Sequence, residues 1–215
     1  MEEVTLEFFK RIQELISRSV AVEHLEVDSS TILGALDVSY SNGVAFCGAV
    51  VWRLSEEVPL KKVVQSAPVN YPYVPGLLYV REGPIMFSTV RSLDPKPSVL
   101  LIDGHGLAHP RRAGLASMVG VLADVPTIGV AKHILFGDVV RHNERELIFV
   151  DDEPVGIVCT GDDGRTFYAS IGHRVDMTTI IDLLEISGWR YPPHLSEAHS
   201  LARSAAVSAE RSERA

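Results

Sequence analysis

The stretch "SVLLIDGHG", residues 98–106, decides the fold. Its run Val99-Leu100-Leu101-Ile102 shows no alternation of apolar and polar residues, the pattern of a strand buried on both faces. The run stops at Asp103 and two glycines, where a chain turns from strand into helix. Downstream, Leu115, Met118, Val119 and Leu122 fall at helical spacing, and "PTIGVAK" (126–132) is a second buried strand. Strand, helix and strand in this order make a βαβ unit with parallel strands. Upstream, "TILGALDVSY" (31–40) and "GVAFCGAVVWRL" (43–54) are buried strands joined by Ser41-Asn42-Gly43, a hairpin, and "VPLKKVVQSAPV" (58–69) adds a third, more amphipathic strand. The expected fold is α/β, a mixed sheet with helices on both faces.

The other elements follow from periodicity. Leu6, Phe9, Ile12 and Ile16 form the stripe of an opening helix, and "REGPIMFSTVRSL" (81–93) reads as a helix with Pro84 in its first turn. Residues 138–146 read as a polar excursion. Strands follow at "EPVGIVCT" (153–160) and "TFYASIG" (166–172), then a helix capped by Asp176, carrying Met177, Ile180, Ile181 and Leu184, and closed by Gly188. Residues 1–200 are expected to form a single domain and residues 201–215 a fraying helix and polar tail.

Composition narrows the class. At 46% hydrophobic and 22% charged, 215 residues bury a full core and need no staple. Cys47 and Cys159 lie far apart in apolar runs, so buried free thiols are expected rather than a disulfide or a metal site. The charged, helically patterned N-terminus is neither a signal peptide nor a membrane span, so a soluble, cytoplasmic monomer is expected with no membrane partner. A net charge of −8 excludes broad electrostatic adhesion to nucleic acid; any such binding rests on local cations or a bound metal.

Against that background, "VNYPYVPGLLYVREGP" (69–84) stands out: Pro72 and Pro75 bracket an aromatic in a segment that can be neither helix nor central strand. An aromatic held in a loop is costly to expose unless something touches it. Two further residues are unusual, Asp37 and Asp103, each a carboxylate ending an apolar strand where Val or Ile is the norm. One Asp at a strand end is ordinarily a turn or cap residue. Two on neighbouring strands repel, and so belong to a metal site or share a proton. Oxygen donors without Cys or paired His favour Mg²⁺ or Mn²⁺ over zinc. Glu82 either supplies a third carboxylate or serves as a favourable charge opening a helix. Gly104 and Gly106 permit close backbone approach, Arg111-Arg112 at the next helix start could face a phosphate, and Lys132 ends its strand on the same edge as the aspartates.

Taken together, "PYVPG" with "YVRE" (72–82), "IDGHGLAHPRRAGLAS" (102–117), "DVPTIGVAK" (124–132) and "GHRV" (172–175) resemble endonuclease V, the deaminated-purine repair nucleases, over roughly residues 30–200. The resemblance implies a ribonuclease H-like fold and Mg²⁺-dependent cleavage of nucleic acid at hypoxanthine (inosine), at the second phosphodiester 3′ to the lesion, leaving 3′-hydroxyl and 5′-phosphate ends. It implies Asp37, Asp103 and Glu82 as metal-binding carboxylates, Lys132 as catalytic lysine, and Pro72-Tyr73-Val74-Pro75 as a strand-separating wedge. Tyr73 would then stack where the extruded base had been. Gly76, Leu78, Gly104 and Gly106 would line the base pocket, with His109 beside it and Arg81 among the substrate contacts. A C-terminal position that is Asp or His in the family falls on His199. The partner implied is DNA with deaminated bases; DNA and RNA remain open, as do another nuclease of the same fold, of ribonuclease H or resolvase type, and a non-enzymatic binding module.

Overall fold

The computed structural model describes residues 2–161 and 164–213. At its centre, β1 (Ile32–Ser41) pairs antiparallel with β2 (Val44–Arg53), and β2 with β3 (Lys61–Pro68). The β1–β2 turn holds Asn42 at φ 48° and Gly43 at φ 76°, the left-handed pair that matches the twist of a two-residue hairpin. On its other side β1 runs parallel to β4 (Val99–Asp103), and β4 to β5 (Thr127–Ala131), through α3 (Leu115–Ala123). The sheet has nine strands in the order β3-β2-β1-β4-β5-β9-β8-β7-β6, where β6 is Asp138–His142, β7 Arg145–Val150, β8 Glu153–Thr160 and β9 Thr166–His173. This is the expected α/β mixed sheet.

Helices cover both faces, which is why β1 and β2 are apolar without alternation. One face packs Leu36, Val38, Leu100 and Ile102 against α1 (Glu3–Ser17), α2 (Leu78–Ser92) and α3. The other packs Leu33, Ala35, Val99 and Leu101 against α4 (Met177–Ile186) and α5 (Pro193–Glu213). Because strand side chains alternate, Asp37 and Asp103 continue the second set, at the carboxyl ends of β1 and β4. The cap of α4 is as expected: Asp176 accepts a 2.7 Å bond from the Thr179 amide. Cys47 and Cys159 are free and buried, and burial pushes both thiols up to about 12. Among the described residues no helix is long and apolar enough to cross a membrane.

Four expectations are corrected. Helix α2 starts at Leu78, so Pro84, an exposed residue, lies inside it, where it supplies no amide to the Val80 carbonyl one turn earlier. Residues 138–146 contain a strand, a turn and the start of another; β6 is exposed along its whole length, so no hydrophobic pattern marked it. Leu122 is 53% exposed and not part of the α3 core face. Beyond residue 200 the chain stays helical to Glu213, because Ala198, Ala202 and Ala206, one turn apart, are buried against β1 and β2; residues 214–215 lie outside the described set. Small side chains hold this contact close: a Cβ on Gly48 of β2 would lie 2.4 Å from the Ala198 carbonyl oxygen.

The loop after β4 is stitched to β9. The Gly106 amide donates to Ser170 Oγ at 2.9 Å, the Leu107 amide to the Ile171 carbonyl at 2.6 Å, and a Cβ on Gly106 would lie 1.9 Å from that carbonyl oxygen. Since the obstacle is backbone, Gly106→Ala should cost about 3 kcal/mol or more, measured as a lowered urea midpoint with unchanged m-value.

Candidate active site

Strand register builds the centre of the site. Leu36 of β1 pairs with Ile102 of β4, so the next residues, Asp37 and Asp103, stand side by side where both strands end. Each meets one nitrogen partner from elsewhere in the chain. His199 Nδ1 of α5 lies 2.5 Å from Asp37 Oδ2, and Lys132 Nζ, just past β5, lies 3.4 Å from Asp103 Oδ2. The second oxygen of Asp37 accepts the Val38 amide at 2.7 Å. Glu82 comes from the second turn of α2, not its opening, which removes the role of a helix-end charge. It is 7% exposed and accepts a 2.6 Å bond from the Tyr40 hydroxyl, and the Arg81 guanidinium lies 4.1 Å above the Tyr40 ring.

These carboxylates are short of positive charge. Burial, reinforced by Asp37 and Asp103, pushes Glu82 up to about 8 against the Tyr40 bond and the Arg81 charge. Burial and then Asp37 also raise Asp103, opposed by Lys132. Burial, then Asp103 and Asp37, keep the Tyr191 hydroxyl protonated. A hard cation at such a cluster lowers all three penalties, and the donors are oxygens, so the residues fit Mg²⁺ or Mn²⁺. Among the described residues no three His, Cys, Asp or Glu side chains gather closely enough to enclose a metal alone.

Beside Asp103 and Lys132 opens a cavity of about 370 Å³. Tyr73, Gly76, Leu78, Gly104 and His109 border it. Gly106 does not; it faces β9. Tyr73 is 61% exposed at the rim, while Val74 turns inward onto the helix-side core and Pro72 and Pro75 stand exposed on either side. Arg81 is outside the cavity and donates at 3.4 Å to the Tyr71 carbonyl.

The loop bearing Tyr73 is tied down from below. Gly76 O accepts from Arg111 Nη2 at 2.7 Å and faces His109 Nε2 at 3.1 Å. His109 Nδ1 accepts the Arg111 amide at 3.1 Å, which assigns the ring proton to Nε2, and burial with the Arg111 charge lowers its pKa to about 4. Buried Gln13 of α1 accepts from Arg111 Nε at 2.6 Å and donates to the Ala113 carbonyl. Phe9 of α1 meets Tyr71 edge-on at 5.4 Å. Arg111 therefore braces the loop, and Arg112 binds Glu153 and the Val150 carbonyl; neither opens a helix, since α3 begins at Leu115, so their expected place at a phosphate-facing helix start is corrected. Sequence reasoning missed Gln13, Tyr40 and Tyr191. Only Tyr40 left a trace, as the polar aromatic three residues after Asp37.

A βαβ core extended by an antiparallel hairpin and strand, with carboxylates at the carboxyl ends of β1 and β4, defines a ribonuclease H-like nuclease fold. Residues 14–200 match the Endonuclease V family. Endonuclease V of Sulfolobus acidocaldarius is 36% identical over 203 residues, 94% of this chain and 97% of that protein. The crystal structure of endonuclease V from Streptomyces avermitilis superposes with TM-score 0.85 at 29% identity, covering 95% of this chain and 94% of that one. Endonuclease V of Ciona intestinalis, solved with a 24mer DNA containing an inosine followed by a ribo-adenosine, has TM-score 0.82 at 23% identity, covering 94% and 98%. The chain belongs to the endonuclease V family, and is thereby a nuclease rather than a binding module or a nuclease of ribonuclease H or resolvase type.

The charge deficit has a measurable sign. With a folded pKa of about 8 against about 4.3 unfolded, Glu82 keeps a proton that the unfolded chain has lost, so metal-free stability falls as pH rises between those values. Glu82→Gln, which still accepts from Tyr40, should be more stable than the parent in EDTA at pH 8, by on the order of 3 kcal/mol, with the gap closing near pH 5. Thermal melts across that range read it directly.

Proposed function

We propose that the protein cleaves nucleic acid at hypoxanthine, cutting the second phosphodiester 3′ to the lesion and leaving 3′-hydroxyl and 5′-phosphate ends, as a DNA repair enzyme. The carrying observation is the shared wall: one cavity is lined both by the exposed Tyr73 and by Asp103 with Lys132. A base extruded from the stack enters the cavity, with Gly76 and Gly104 leaving room for it, and Tyr73 fills the gap in the duplex. The following phosphates then cross the carboxylates. Asp37 and Asp103, with Glu82, would hold Mg²⁺ or Mn²⁺, which when bound polarises the scissile phosphate and acidifies a water. Lys132 Nζ, held at Asp103, neutralises charge developing on the phosphoryl oxygens. His199 fixes the carboxylate of Asp37, and Tyr40 that of Glu82. The inosine-containing DNA held by the Ciona protein supports this substrate, and the ribo-adenosine after its inosine makes an inosine-RNA endoribonuclease the second reading.

Matched DNA and RNA oligonucleotides carrying one inosine, with Mg²⁺ and with EDTA, test the reading. Asp37→Asn and Asp103→Asn should each abolish cleavage while retaining inosine-DNA binding; Mg²⁺-dependent cleavage by both variants would remove these residues from the site. Tyr73→Ala should lower kcat/KM on duplex more than on single-stranded substrate, by roughly tenfold or more, since a stacking contact is worth about 1–3 kcal/mol and a single strand has no gap to fill. Equal losses on both substrates would make the loop structural.

A further inference from the structure

The sheet ends differently at its two edges. At one, β3 carries Lys61 and Lys62 and closes on Pro68, residues that keep another strand from pairing there. At the other, β6 has no lysine, no proline and no bulge, and it is exposed along its whole length, Val139 and Val140 included. His142 and Arg145 flank the two-residue turn into β7 and pair across it, so they exchange backbone hydrogen bonds; by alternation Val140 with Leu147 and Asp138 with Phe149 do the same. The amides and carbonyls of Val139 and Arg141 therefore point away from β7, and among the described residues no backbone bond from another element meets them. Laid antiparallel on a second copy of itself about Val140, β6 puts Val139 opposite Arg141 of that copy, and these pairs use the outward amides and carbonyls. Val140 then meets Val140, and at both ends Asp138 meets His142, a carboxylate beside an imidazole that can donate to it. Sliding the register one way sets Arg141 against its own copy, and sliding it the other way sets Asp138 against Val140, so the alignment about Val140 is the one that matches charges.

We propose that β6 is a self-pairing edge, through which two copies of the chain join their sheets in a weak two-fold dimer in place of the monomer expected from the sequence. The occupant is a second copy because the charges of β6, which an arbitrary strand would leave unpaired, complement themselves under a two-fold axis. A strand of 5 residues makes a small joint, well short of a permanent interface, so association is reversible and depends on concentration. β6 stands at the edge of the sheet and β1 and β4 in its interior, so pairing there is independent of the proposed substrate.

Sedimentation velocity of the full chain across a concentration series, at low salt, tests this. The parent should pass from one chain to two as concentration rises. Val139→Pro removes an outward amide while leaving the bonds to β7 in place, and should weaken association by roughly tenfold or more with an unchanged melting temperature. Asp138→Lys sets a lysine against His142 at both ends and should weaken association roughly fivefold; adding His142→Asp to the same chain should restore it. These charge variants read the register without touching the backbone. Under mild oxidation Val140→Cys should give a disulfide-linked dimer, because the two cysteines face each other, whereas in His142→Cys they lie about 13 Å apart along the strands and should not link. Cys47 and Cys159 are buried, so the parent serves as the unlinked control. A parent that stays monomeric at every concentration would overturn the proposal. So would association that ignores both Val139→Pro and Asp138→Lys, or equal linking of Val140→Cys and His142→Cys.

Discussion

Two like charges held side by side by backbone hydrogen bonds are the constraint around which the rest is organised. The parallel register of β1 and β4 fixes Asp37 beside Asp103 before any side chain chooses a rotamer. In a largely buried corner that repulsion is not screened by water. The neighbouring groups offset it piece by piece: an imidazole from α5, an ammonium after β5, and a phenol that keeps its proton and donates to the third carboxylate. These come from separate regions of sequence, so the site is only as well formed as the packing of α2 and α5 on opposite faces of one sheet.

Much of the fold was legible because the hydrophobic pattern was itself the structural cause. Strands covered on both faces must be continuously apolar, and the runs at β1, β2, β4 and β5 left no other reading. Where burial did not dictate composition, the pattern fell silent. The wholly exposed β6 reads as polar loop, though its backbone pairs with β7 along its length. The end of α5 reads as tail, because alanines make contact through being small, and smallness has no hydrophobic signature.

The site was legible in a different way. Asp37 and Asp103 violate the strand pattern, and a violated pattern is visible in one dimension. Tyr73 was visible because prolines leave an aromatic no element to hide in. Partnerships were not visible. Arg111 looked like a phosphate ligand and proves to be a brace, since the carbonyl it binds at Gly76 lies 35 residues away in sequence. Gly106 looked like room for a ligand and gives room to β9. Gln13 carried no mark, although its amide joins α1 to the loop after β4.

The bracing of the aromatic loop by α1 divides the molecule's labour between its two ends. Phe9, against Tyr71, and Gln13, on Arg111, sit near the start of the chain and brace the loop that carries Tyr73, while His199 sits near the finish and holds the carboxylate of Asp37. The sheet between them is a rigid chassis with a separate adjustment at each end. Substitutions in the first helix retune how the rim aromatic meets whatever it grips, with the ionic centre undisturbed, and substitutions in the last helix do the reverse. Grip and cutting power can therefore drift apart over evolutionary time, each following its own terminus.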